Sequence, residues 1–222
     1  MTTIINLSYY AREHDRVHPV TASQAQALPP ADRYPSHDEQ VRQRLQDAAI
    51  ACVRELGLQK VSMRHIAERA GLVRQTVYNY YPNKYDLVGE AFLREGTQLS
   101  LAIAGHIRGI NNIEDQFVEA FLFLVEALPQ NPILALMVEP GNEFLSMVRM
   151  ELPFEQFGLL ALGDVFRRHP ALGAQAEEIS EYWSRNALSF LTFRTTERNR
   201  EELERYVRRR LVPGLRLQEI IS

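Results

Sequence analysis

The chain has 222 residues, 45% of them hydrophobic, with 25 basic and 28 acidic side chains and a formal net charge of −3. That length suits one large domain or two small ones with a proper core, and the negative balance argues against a protein that coats nucleic acid non-specifically. A single cysteine, Cys52, leaves no internal disulfide and makes a reducing cytoplasm the expected location. No apolar run approaches the roughly 18 residues of a membrane span, and the first residues lack the basic-then-apolar pattern of a signal peptide.

Residues 1–35 carry Pro19, Pro29, Pro30 and Pro35 and no helical period beyond one turn. They read as a mostly disordered arm. An arm that adds a DNA or dimer contact is the other reading, weakened because Glu13, Asp15 and Asp32 balance Arg12, Arg16 and Arg33. Order is expected from Ser36, where Ser36 and Glu39 fit a capping box. Val41, Leu45, Ala48, Ala49, Cys52, Val53 and Leu56 then recur at helical spacing until Gly57. Ser62 can cap a second helix that turns Ile66, Ala67 and Ala70 inward and stops at Gly71. A third runs from Arg74 to Tyr80, with Val77 and Tyr81 as core, and Pro82 breaks it. Asn83 caps a fourth, roughly 84–109, with Gly89, Gly96 and Gly105 inside it. These glycines serve close packing or bending, and the sequence does not choose.

Further helices are expected near 113–128, 132–138, 142–151, 154–168, 172–193 and 199–211, separated by prolines. No strand-like alternation or hairpin signal occurs. The expected fold is all-α: a compact N-terminal three-helix head plus a larger helical body. The expected division is an arm at 1–35, a head at 36–83 and a body at 84–222, joined through helix 84–109.

The stretch 62–84, SMRHIAERAGLVRQTVYNYYPNK, carries the functional signal. Two short helices around a glycine let a small domain push one helix into the major groove. From Lys60 to Tyr85 there are five basic residues against one acid, whereas from residue 91 onward 14 basic face 18 acidic. A basic patch on an acidic protein fits a localised DNA contact. Arg74 can address guanine O6/N7, and Gln75 and Asn79 suit adenine N6/N7. Tyr78 and Tyr80 offer hydroxyls to phosphates or apolar edges to thymine methyls. Ser62, Thr76 and Lys84 suit phosphate oxygens. Arg64, in the first turn of the preceding helix, can also reach a base edge.

The ordered set Glu55-Leu56-Gly57, Val61-Ser62, Ile66-Ala67, Ala70-Gly71-Leu72, Thr76-Val77-Tyr78, Tyr80-Tyr81, Pro82-Asn83-Lys84 and Asp86-Leu87 resembles the TetR family of bacterial transcriptional regulators over about residues 41–90. The resemblance implies that Arg64, Arg74, Gln75, Thr76, Tyr78, Asn79, Tyr80 and Lys84 sit where family members touch double-stranded DNA. It also implies that the body binds a small effector and forms a homodimer. Val73 departs from the family, which usually has serine or a similar cap there. Valine cannot cap by its side chain.

Beyond residue 90 the reading is physical. Phe117, Phe121, Leu124, Met137, Phe144, Met147, Phe157 and Trp183 are candidates to line an adaptable apolar effector pocket. Plain core packing is the competing reading for each. Ile179, Trp183, Ala187, Leu188, Leu191, Leu203, Tyr206 and Val207 are candidates for a dimer face on the last two helices, unless they bury within one subunit. The expected function is a DNA-binding transcriptional regulator, a repressor released from its operator by a small, largely apolar effector. A regulator acting through protein contacts is the alternative. No catalytic motif, no metal-ligand spacing among the six histidines and no cofactor signature is present, so neither an enzyme nor a metal or cofactor protein is expected.

Overall fold

The computed structural model describes residues 36–139, 154–193, 198–217 and 220. The described elements are all helical. We number the helices α1 (His37–Leu56), α2 (Met63–Ala70), α3 (Arg74–Tyr80), α4 (Lys84–Ile107), α5 (Ile113–Ala127), α6 (Phe154–Arg168), α7 (Pro170–Gly173), α8 (Ala176–Thr192) and α9 (Arg200–Arg210). The chain divides after Arg94 into two compact units. The division falls inside α4, so the head unit takes in residues beyond the expected limit at 83.

In the head unit, α1 starts where expected. The Ser36 hydroxyl accepts from the Glu39 amide at 3.2 Å, and the Glu39 carboxylate accepts from the Ser36 amide at 2.6 Å, which completes the capping box. The core joins Leu45, Ala49 and Val53 of α1 to Ile66 and Ala70 of α2, Val77 of α3 and Leu87 and Ala91 of α4. Leu56, expected on the inner face of α1, is 40% exposed. Helices of eight and seven residues are too short to persist alone in water, so α2 and α3 depend on this core.

In the body unit, α8 packs chiefly on α6, and α5 packs on α8 and α9. Two expectations change here. The helix expected at 132–138 is a 3-10 turn, Leu134–Met137, preceded by another at Leu128–Gln130. Pro129 and Pro132 remove amide donors, and the Asn131 side chain accepts from the Ile133 and Leu134 amides instead. The helix expected over 172–193 is two, α7 and α8, broken at Ala174–Gln175. The helix expected at 142–151 lies outside the described residues, as does the arm at 1–35. No helix among the described residues is long and apolar enough to cross a membrane.

Candidate nucleic-acid interface

The turn between α2 and α3 is set by Gly71, at φ +61°. A side chain at that φ is strained, and a Cβ there would meet the Arg44 guanidinium 2.8 Å away. The Leu72 amide bonds back to the Ala67 carbonyl at 2.9 Å and closes the end of α2. Ser62 caps the start of α2, its hydroxyl accepting from the His65 amide at 3.3 Å. Val73 occupies the N-cap of α3, makes no side-chain cap and stands 70% exposed.

Val77 anchors α3 from below with no exposed surface. Arg74, Gln75, Tyr78 and Asn79 form its exposed face, and Thr76 is half-buried. Two pairs run along that face at helical i,i+4 spacing. The Arg74 guanidinium donates to the Tyr78 hydroxyl at 3.3 Å and lies 5.6 Å from its ring centroid. The Gln75 amide donates to the Asn79 carbonyl oxygen at 3.2 Å. Four side chains suited to base edges are thereby held side by side. Arg64 is exposed on α2 with Glu68 3.6 Å away.

Three other candidates are placed differently. Lys84 is half-buried, and its ammonium donates to the carbonyls of Leu58 (2.8 Å), Val61 (2.9 Å) and Gln59 (3.3 Å). That occupies all three donors and ties α4 to the loop after α1. Burial holds its pKa below the usual lysine value. Tyr80 turns from the outer face toward α1, where its hydroxyl donates to Asp38 at 2.7 Å. Ser62 accepts from the His65 amide in the cap, a bond that uses an oxygen lone pair and not the O–H donor. The spacing put these three on the DNA side; in the structure the donors of Lys84 and Tyr80 are engaged within the head.

A buried network beneath the head was not visible in the sequence. The Tyr81 hydroxyl donates to Glu90 at 2.7 Å, the Gln46 amide reaches both at 3.3 Å, and Arg42 approaches Glu90 at 3.4 Å. Burial, then the Glu90 carboxylate, raise the Tyr81 pKa. Its members lie 9 to 48 residues apart, and no local motif announces them.

The body candidates divide as well. Phe117, Phe121 and Trp183 line one small cavity of about 10 Å³ with Tyr182, Val207 and Leu211. Leu124, Met137 and Phe157 do not line it and are half-buried elsewhere. Phe157 packs its ring where a side chain at Gly96 would stand. Phe144 and Met147 lie outside the described residues. The cavity that Phe117, Phe121 and Trp183 share is far smaller than the several hundred Å³ that encloses a small ligand.

Of the dimer candidates, Ile179, Trp183, Ala187, Leu191, Leu203 and Val207 are buried within the chain. Their stripe is used to pack α8 and α9 against α5 and α6, which removes them from a surface between copies. Leu188 is half-buried, and Tyr206 is 36% exposed.

Residues 45–91 match the model of bacterial regulatory proteins of the tetR family. The HTH-type transcriptional repressor KstR of Rhodococcus jostii (strain RHA1) is 27% identical over 161 residues, which is 70% of this chain and 74% of the relative. KstR of Mycobacterium tuberculosis is 27% identical over 169 residues, 70% of this chain and 73% of the relative. The solved TetR-family repressor AlkX from a Dietzia strain aligns at TM-score 0.58 and 22% identity, covering 82% of this chain and 97% of that one. Thermus thermophilus FadR, solved with lauroyl-CoA, aligns at TM-score 0.52 and 22% identity, covering 78% and 93%. At these identities the structures speak for the fold. The matched head, the two curated relatives and the shared helical fold point the same way: over residues 45–91 the chain is similar to bacterial regulatory proteins of the tetR family, and its helical fold is similar to theirs.

Proposed function

We propose that the protein is a cytoplasmic, sequence-specific DNA-binding repressor that leaves its operator when a small, largely apolar effector binds the body. The observation that carries the DNA reading is the outer face of α3. Arg74, Gln75, Tyr78 and Asn79 stand exposed and paired on a helix fixed from below by Val77. A regulator working only through protein contacts has no need of four adjacent side chains matched to base edges. Repression is favoured by the two curated relatives, both named as transcriptional repressors. No step here requires enzymatic chemistry.

Two copies would present two α3 helices about one or more DNA turns apart, roughly 34–36 Å per turn. The faces of α8 and α9 that leave Leu188 and Tyr206 reachable are the candidate contact between copies. Effector binding would favour a DNA-incompetent arrangement, which requires tighter binding to that state. Selection from random duplexes followed by fluorescence anisotropy tests the reading. The expected result is one sequence bound at least about 10³-fold tighter than its scramble at physiological salt. Equal affinity for both would sink it.

A further inference from the structure

α3 is the shortest helix of the head, seven residues against 20 in α1 and 24 in α4. It carries the side chains suited to base edges. Its start has no side-chain cap at Val73. Val77 holds it by apolar burial, which sets depth without direction. Direction comes from its far end. Tyr80 donates to Asp38 at an exposed position, where water competes for both groups. Tyr81, the C-cap residue, is 2% exposed, and its hydroxyl donates to Glu90 at 2.7 Å.

The Glu90 carboxylate, carried by α4, is also held by α1. Arg42 approaches both its oxygens at 3.4 Å, and the Gln46 amide donates at 3.3 Å to it and to the Tyr81 hydroxyl. The Arg42 guanidinium lies 5.3 Å from the Tyr81 ring centroid. α4 is itself seated at its start, where Lys84 donates to three carbonyls of the loop after α1. Two long helices thus fix one carboxylate, and the short α3 hangs from it by a buried, charge-assisted hydrogen bond. Asn79 and Tyr78 stand two and three residues before that bond. A base-edge hydrogen bond tolerates little error in distance or angle, whereas attraction to phosphates falls off slowly with distance. A small tilt of α3 therefore costs reading before it costs adhesion.

We propose that Glu90 is a positioning residue for sequence reading: through the Tyr81 hydroxyl its carboxylate sets the tilt of α3, and with it the discrimination between bases, while attraction to the DNA backbone is left unchanged. This rests on the DNA-binding reading above and adds to it a residue that acts without touching DNA.

Tyr81→Phe removes only the hydroxyl, and Glu90→Met keeps the stem and removes the acceptor. Fluorescence anisotropy on a selected operator half-site and its scramble, over a salt series, compares both variants with the unaltered full-length protein. Each variant should lose about tenfold on the operator, within the worth of one base-edge contact. For Tyr81→Phe the scramble affinity and the salt slope should stay as they were. The double variant should lose no more than about either single one, because both cut the same bond. A merely structural role lowers the folded fraction and weakens both duplexes alike. An unchanged ratio of operator to scramble affinity in a variant of native helicity therefore overturns the proposal, as do additive losses in the double variant. Should Glu90→Met not fold, the ratio for Tyr81→Phe decides. If the unaltered protein does not prefer operator to scramble, the regulator reading fails and this proposal with it. If it does and the variants keep that preference, the positioning role alone fails.

Discussion

Val73 and Lys84 mark the two ends of what a single residue does in this head. Val73 sits at the N-cap of α3 with φ −73° and ψ 147° and offers the helix no side-chain acceptor. Serine fits that backbone and accepts from an amide of the first turn, so Val73→Ser should stabilise the head by about 1 kcal/mol. Urea unfolding should show a higher midpoint at unchanged slope; an unmoved midpoint would mean that water already serves the amide fully. Lys84 was expected at a phosphate, yet its ammonium is engaged by three backbone carbonyls. Lys84→Met keeps the stem and removes the charge. We expect a loss of about 2 kcal/mol, the scale of a hydrogen bond to a charged group, with an unchanged salt slope of operator binding for the molecules that remain folded. A slope smaller by about one would instead restore the phosphate role. Helical spacing showed which face Tyr80 and Lys84 occupy. It could not show that their partners wait 42 and 26 residues away in the chain.

Helix ends were legible because caps are local. Ser36, Ser62 and Asn83 each accept from amides two or three residues on, and short sequence windows contain all that this requires. The glycines of α4 were not legible, because their roles depend on what lies opposite. A Cβ at Gly96 would collide with the Phe157 ring, whereas one at Gly105 meets nothing within 4 Å. Gly105→Ala should therefore stabilise the chain by up to about 1 kcal/mol through helix propensity alone. Gly96→Ala should destabilise it as Phe157 is displaced. Thermal unfolding of the two variants should move in opposite directions, and a shared direction would contradict the close-packing account. The union of α1 with α4 through Tyr81 has a pH signature of its own. Burial and Glu90 raise the Tyr81 pKa above its ordinary value near 10. The folded state then keeps its proton while the unfolded chain loses one, so this contribution is whole below about pH 10 and declines as pH rises. The lowered pKa of Lys84 acts in the opposite sense, which makes a comparison of variants the clean measurement. Tyr81→Phe should be less stable than the parent at pH 8, with the gap narrowing at pH 10.5 and above. A constant gap in the urea midpoints would remove Tyr81 from the alkaline response.

At the scale of the molecule, charge and apolar surface carry different amounts of information. A stripe such as Ile179, Trp183, Ala187 and Leu191 states that a face is buried and is silent on whether its partner is the same chain or a copy. Here α5 and α6 claim it. Charge is less ambiguous, since a basic head on an acidic chain points outward to a polyanion. That distinction yields a prediction about how the head divides its work. Gln75 and Asn79 carry no charge and suit base edges, so replacing either by alanine should cost about 1–3 kcal/mol on the operator per half-site and little on scrambled duplex. Arg64 is exposed and only loosely placed against Glu68. If it meets phosphate, Arg64→Ala should weaken both duplexes alike and lower the salt slope by about one per head. If two heads engage one palindromic operator, each of these effects doubles on the full site relative to an isolated half-site. Anisotropy titrations over a salt series, on full-site and half-site duplexes, read all three quantities. Equal losses on operator and scramble for Gln75→Ala would mean that α3 contacts the backbone rather than the bases. Undoubled effects on the full site would mean that one head binds alone.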